Sequence, residues 1–151
     1  MRQDYQRQLC ERWKGIWKEL PRFPRLRDYA MLPSKAFLPL LQKMQATRAH
    51  ASLVLQLRTG HIALGSYLQR IRKVDDAKCS ECGAPQETVT HYLLKCPAHV
   101  HERMRYFRQW RQKERDFSFL LTDLIAVLSV IGYVCDTEWL RTTFGELRNR
   151  S

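Results

Sequence analysis

Glycine and proline are scarce in this chain, six of each among 151 residues, which leaves little material for the many turns of an all-β fold. Helix should dominate. Long hydrophobic runs are missing as well: the most apolar stretch, 117–134, is broken by Thr122, Asp123, Ser129 and Gly132, and so is too polar to span a bilayer. The first twenty residues, MRQDYQRQLCERWKGIWKEL, carry charge throughout and lack the apolar centre of a secretory signal. A soluble intracellular protein, nuclear or cytoplasmic and with no membrane partner, is the expectation.

Acid is in short supply. Fifteen Asp and Glu face 26 Lys and Arg, a formal net charge of +11, and a surface so unbalanced attracts polyanions, with RNA or DNA the first partner to consider. Catalytic signatures are also wanting: there is no glycine-rich phosphate loop and no nucleophile motif. Asp75 and Asp76 are adjacent but follow RIRKV in a polar loop, unlike the strand-borne carboxylates that hold two metal ions in polymerases and nucleases. No enzymatic activity and no small-molecule substrate are expected.

What the chain does have is length for one domain, a hydrophobic fraction of 44% that argues against disorder, and helical periodicity. The expectation is a single, mainly α domain over 1–151, organised around a small metal-binding element at about 76–100. Tyr5, Leu9, Trp13, Ile16, Trp17 and Leu20 recur every three or four positions, which predicts an amphipathic helix over 4–20 whose stripe packs on something. Pro21, Pro24 and Pro33 make 21–33 a connector. Ser34 and Thr47 are caps for helices to about Ala46 and to Gly60, and a short helix follows over 64–72. Thr88 is expected to cap a helix through Leu94. Pro97 opens a long one with Val100, Met104, Phe107 and Trp110 inward, leaving Arg105, Gln109, Gln112 and Lys113 outward. A last apolar helix spans 123–134 with Thr122 at its cap.

Five cysteines, an odd number in a reducing compartment, read as thiols or ligands rather than a disulfide framework. Four donors crowd into CSECGAPQETVTHYLLKCP at 79–97. Cys79 and Cys82 form CxxC with Gly83 behind, a spacing that lets one tight turn aim both sulfurs at one point, and a small hairpin over 79–84 often accompanies it. His91 and Cys96 stand five positions apart at a helix end. Three thiolates and an imidazole select zinc over magnesium or calcium, and four protein ligands leave no place for a catalytic water. One structural zinc is expected. The alternatives are ordinary buried cysteines beside a surface histidine, or His99 or His101 in place of His91. Cys10 and Cys135 have no neighbouring donors and are expected to be core thiols.

At these residues the sequence resembles the carboxy-terminal region of fungal non-LTR (LINE-like) retrotransposon polyproteins, downstream of their reverse transcriptase and ribonuclease H domains. The resemblance rests on HASLVLQLRTGHIALGSYLQRI at 50–71, CSECGAPQETVTHYLLKCPAH at 79–99, and FSFLLTD and TFGEL at 117–123 and 143–147, with WKGIWKEL a weaker part. It implies a mostly helical CCHC zinc-binding module with Cys79, Cys82, His91 and Cys96 on the ligand positions, helping an element hold its RNA or target DNA. YVCDTEWLRTTFGEL departs from the pattern, lacking the glycine turn commonly seen there, so the end of the last helix is left open. His61, in RTGH, is either a packing histidine or a ligand.

The leading expectation is therefore a retroelement-derived nucleic-acid-binding module. Candidate phosphate contacts are Arg58, Arg70, Arg72, Lys73 and Lys78, which flank the cluster, and Arg103, Arg105 and Arg108 on the following helix. A solvated polar face is the plainer account of Arg105, Gln109, Gln112 and Lys113 on that helix. The competing expectation is a protein-interaction or regulatory factor that reuses the fold, with a partner surface on the first helix if Trp13 or Trp17 is exposed.

Overall fold

The computed structural model describes residues 2–19, 37–110 and 117–145. It divides into two compact units, Met1–Ser34 and Lys35–Ser151. In the first, helix α1 runs over Arg2–Glu19, as the periodicity predicts. Its stripe is open: Tyr5 is 64%, Leu9 46%, Trp13 48% and Ile16 45% exposed. Cys10 is exposed too, against the core position expected of it, because α1 buries none of its described side chains. The expected connector at 21–33 and the Ser34 cap lie outside the described residues.

The second unit is helical, with no strand among the described residues. Helix α2, Phe37–Lys43, ends by the amides of Gln45 and Ala46 bonding back to the carbonyls of Gln42 and Leu41 at 3.0 and 3.1 Å. Gln45 sits at φ 47° to close that turn, the left-handed position more often given to glycine. Helix α3 follows over Arg48–Thr59; the Thr47 hydroxyl caps it, accepting from the His50 amide at 3.2 Å, and Gly60 at φ 69° stops it. Leu53, Val54 and Leu57 line its inner side and are fully buried, each burial stabilising by about 1.5–3 kcal/mol.

Helix α4, Gly65–Arg70, stops short of the expected Arg72. The Arg72 and Lys73 amides fold back to Gln69 and Leu68, both at 2.9 Å, with Arg72 left-handed at φ 57°. A turn built this way ends the helix and lifts Arg72 and Lys73 into solvent.

After the Cys/His segment come a 3₁₀ turn at Pro97–His99, helix α5 at Val100–Phe107 and a second 3₁₀ turn at Arg108–Trp110. The expected long helix is thus interrupted, and its inner face is only partly right. Phe107 is buried, whereas Val100 and Met104 are 44% and 51% exposed. The core lies elsewhere: Gly132 admits the Tyr106 ring so closely that a Cβ would collide with it, which rotates Phe107 and Tyr106, not Val100 and Met104, toward the next long helix.

That helix is α7, Leu124–Thr137, reached through the short α6, Phe117–Leu120. Asp123, not Thr122, caps it, its carboxylate accepting from the Ile125 and Ala126 amides at 3.0 and 3.1 Å. The Thr122 hydroxyl instead donates back to the Ser118 carbonyl at 2.7 Å. Helix α7 packs against α3, α5 and α6 and buries Ala126, Val127, Val130, Ile131, Tyr133 and Val134. It ends at Glu138, left-handed at φ 50°, a position more often given to glycine. Helix α8, Arg141–Phe144, closes the described part.

Candidate metal centre

The CxxC pair is shaped by backbone. The Gly83 amide bonds to the Cys79 carbonyl at 2.8 Å and the Cys79 amide to the Ala84 carbonyl at 2.9 Å, with Gly83 at φ 71°, where glycine is unstrained. The expected hairpin is therefore a single knuckle, too short for a strand ladder. Inside it the amides of Glu81 and Cys82 point at the Cys79 sulfur, and that of Ala84 at the Cys82 sulfur, each favouring the thiolate.

His91 and Cys96 are brought together by an unusual wind. The Thr88 hydroxyl caps the segment, accepting from the His91 amide at 3.0 Å, and residues His91–Lys95 then open into a π-helical turn. Five residues amount to about 1.4 turns of an α-helix, which would aim the two side chains apart. The wider turn corrects this: the Cys96 amide bonds to the His91 carbonyl at 2.7 Å, a five-residue span that sets both ligands on one face. Pro97 then ends the segment, and the Ala98 amide points at the Cys96 sulfur.

The four donor atoms lie within 4.8 Å of one another. Cys79 Sγ is 3.9 Å from Cys96 Sγ, and Cys82 Sγ is 3.3 Å from His91 Nε2. A tetrahedral ion with arms of about 2.3 Å to sulfur and about 2.0 Å to nitrogen needs edges of roughly 3.5–3.8 Å. Those two pairs lie close to these edges, and the cluster as a whole is consistent with one metal ion.

The electrostatics agree with a site made for a cation. Burial pushes the Cys79 thiol up, and pushes Cys96 up to about 12, so both thiols stay protonated until a positive charge replaces their protons. Cys82, at the open side, is drawn down mainly by the Ala84 amide. Burial, helped by Arg103 and Lys95, lowers His91 and keeps its imidazole neutral, the form that ligates.

Two anchors hold the cluster to the core. The Tyr133 hydroxyl donates to the Tyr92 carbonyl, and the Tyr92 hydroxyl pairs with that of Thr137, both at 2.6 Å. On the other side Glu87 fastens the loop to α4: its carboxylate accepts from the Gly65 amide, while the Ser66 amide donates to its carbonyl at 3.1 Å. A Cβ on Gly65 would stand 2.7 Å from the Ala77 carbonyl oxygen, so only glycine lets α4 approach. Glu87 is buried, and burial raises its pKa while the Gly65 amide opposes the rise. Sequence reasoning missed it, since a glutamate in the loop just before the Thr88 cap reads as an ordinary solvated acid.

The alternative donors stay outside the group. His99 is buried edge-on to Tyr92 and Trp139, at 5.6 and 5.3 Å between ring centres. His101 is exposed, and His61 is exposed with its ring edge-on to Tyr67. Cys135 is half-buried within α7.

The candidate cations scatter in their engagements. Arg58 donates to the Leu121 carbonyl at 2.9 Å, tying α3 to the α6 end. Arg105 pairs with Asp136 at 2.8 Å and Lys78 with Asp76 at 3.4 Å. Arg103 is half-buried. Arg70 lies over the Tyr67 ring at 5.1 Å; it, Arg72, Lys73 and Arg108 are exposed. No helix of the described residues is long and apolar enough to cross a membrane. Compared with known proteins, the chain matches no family model, no curated protein and no solved structure.

Proposed function

We propose that Cys79, Cys82, His91 and Cys96 hold one structural zinc ion, and that the surrounding helices form a nucleic-acid-binding module of retroelement origin. The convergence of three sulfurs and one imidazole nitrogen within 4.8 Å carries the reading. Soft ligands favour zinc, and a complete set of four protein donors makes its work architectural rather than catalytic. The resemblance of 50–71 and 79–99 to retrotransposon carboxy-terminal regions supports the origin.

The binding surface is the basic turn that leads from α4 into the metal loop. Arg70, Arg72 and Lys73 stand exposed there, held by the turn at Arg72 and, through Glu87, by the metal element. Their role is phosphate contact, which carries little sequence information. With Arg108 they make four open cations, and a single strand neutralising about four charges gives a slope near −3 in log affinity against log salt. Fluorescence anisotropy of labelled RNA and DNA strands between low and moderate salt measures it; affinity that ignores salt sinks the proposal.

A second reading, a protein-interaction factor, is favoured by the exposed Trp13 beside Tyr5, Leu9 and Ile16. Capture from cell extract before and after nuclease digestion separates the two, since bridging by nucleic acid vanishes on digestion.

A further inference from the structure

A groove of about 560 Å³ lies between the ligand-bearing turn and α5, lined by Thr90, Leu94, Lys95, Val100, Arg103, Met104 and Phe107. Its wall and floor are apolar, from Leu94, Val100, Met104 and Phe107. Its charge is of one sign, from Lys95 and Arg103. The Arg103 guanidinium is half-buried in this wall, with its inner side turned to the Tyr133 hydroxyl. A cation partly removed from water attracts a carboxylate more strongly than one in open solvent.

We propose that this groove docks an acidic amphipathic helix of a partner protein. An apolar side chain of the partner seats on Leu94, Val100 and Met104, and carboxylates beside it meet Lys95 and Arg103. The half-exposure of Val100 and Met104 decides against a small molecule, which an open groove leaves largely in water, whereas enclosed sites bury most of their ligand. A helix laid along a groove needs only one face covered. Methionine on that floor adapts to the shape of its guest. The lining offers no exposed aromatic ring on which a nucleobase would stack, so nucleic acid is the poorer guest. The net charge of +11 hastens encounter with an acidic partner and discriminates against basic ones. This inference stands apart from the phosphate-contact reading, which rests on other residues.

The test uses the zinc-loaded full chain and a fluorescein-labelled synthetic peptide of about four helical turns, with leucines along one face and glutamates elsewhere. Two comparison peptides share its length: one with the same composition shuffled so that the leucines scatter, one with lysine for every glutamate. The patterned acidic peptide should bind at least about tenfold more tightly than either. Met104→Glu should weaken it by about tenfold or more and Lys95→Glu by severalfold, while Met104→Leu keeps binding. Met104 and Lys95 are both accessible, and zinc content together with the melting temperature establishes that each variant is folded. Equal binding of the shuffled peptide reveals bulk charge attraction and overturns the proposal. Indifference to Met104→Glu in a folded variant does the same. So does a Met104→Glu variant that loses affinity for an oligouridine strand but not for the peptide, because the groove is then a nucleic-acid site.

Discussion

Removing the metal is the sharpest perturbation, because the four ligands join the knuckle at 79–83 to the turn at His91–Lys95. At free zinc a thousandfold above the dissociation constant, binding to the folded state alone adds about 4.1 kcal/mol. For a unit of this size each kcal/mol moves the melting temperature by roughly 4 °C. Chelation should therefore lower it by about 16 °C. The loss should not be uniform. Leu53, Val54, Leu57, Val127 and Val130 are fully buried on α3 and α7, which carry no ligand, whereas the His91 and Cys96 region is held by its turn and two tyrosine hydroxyls. Hydrogen exchange on the chelated protein should accelerate first at 79–96 and last in α3 and α7. Elemental analysis must accompany the melt. A chain stripped of zinc that melts at the same temperature, with unchanged exchange at 79–96, refutes a structural role for the metal.

Zinc affinity should rise with pH, since thiols raised above their ordinary value by burial hold protons in the metal-free fold and give them up on binding. Cys79 and Cys96 are both raised, so at least two protons should leave per zinc at pH 7, measurable by calorimetry in buffers of different ionisation enthalpy; fewer contradicts the assignment. Gly65→Ala should cost about 1–3 kcal/mol and weaken zinc binding as well, because the new methyl meets the backbone leading into Cys79; thermal melts with a chelator competition read both. Tyr133→Phe strands the buried Tyr92 carbonyl and should lower stability by about 1–3 kcal/mol by denaturant titration. Asp123→Ala should cost about 1 kcal/mol, and Thr122→Ala clearly less, if the carboxylate is the cap.

What was legible in the sequence was what short range decides. Thr47 and Gly60 bracket α3 because a cap and a left-handed stop act over three or four residues. The Cys and His spacing likewise lies within one short segment, and the four donors do meet. Longer-range partners decided the rest. The period of Val100, Met104, Phe107 and Trp110 is real, but which side of α5 meets the core is set by Gly132 receiving Tyr106, 26 positions apart in no pattern a window detects. Thr122 and Asp123 are adjacent good caps, and the choice fell to the carboxylate once the Thr122 hydroxyl turned to Ser118. Glu87 gained its role only because α4 comes close. The ends of α2, α4 and α7 were obscured because Gln45, Arg72 and Glu138 adopt a conformation usually given to glycine.

The π turn at His91–Lys95 is one residue of slack wound into a helix. Wound as an ordinary α-helix, the same stretch would leave Cys96 about 140° away from His91 around the axis. The surplus residue therefore carries the third sulfur round to the imidazole's side, so that a single inserted position separates a ligand set from two stray side chains.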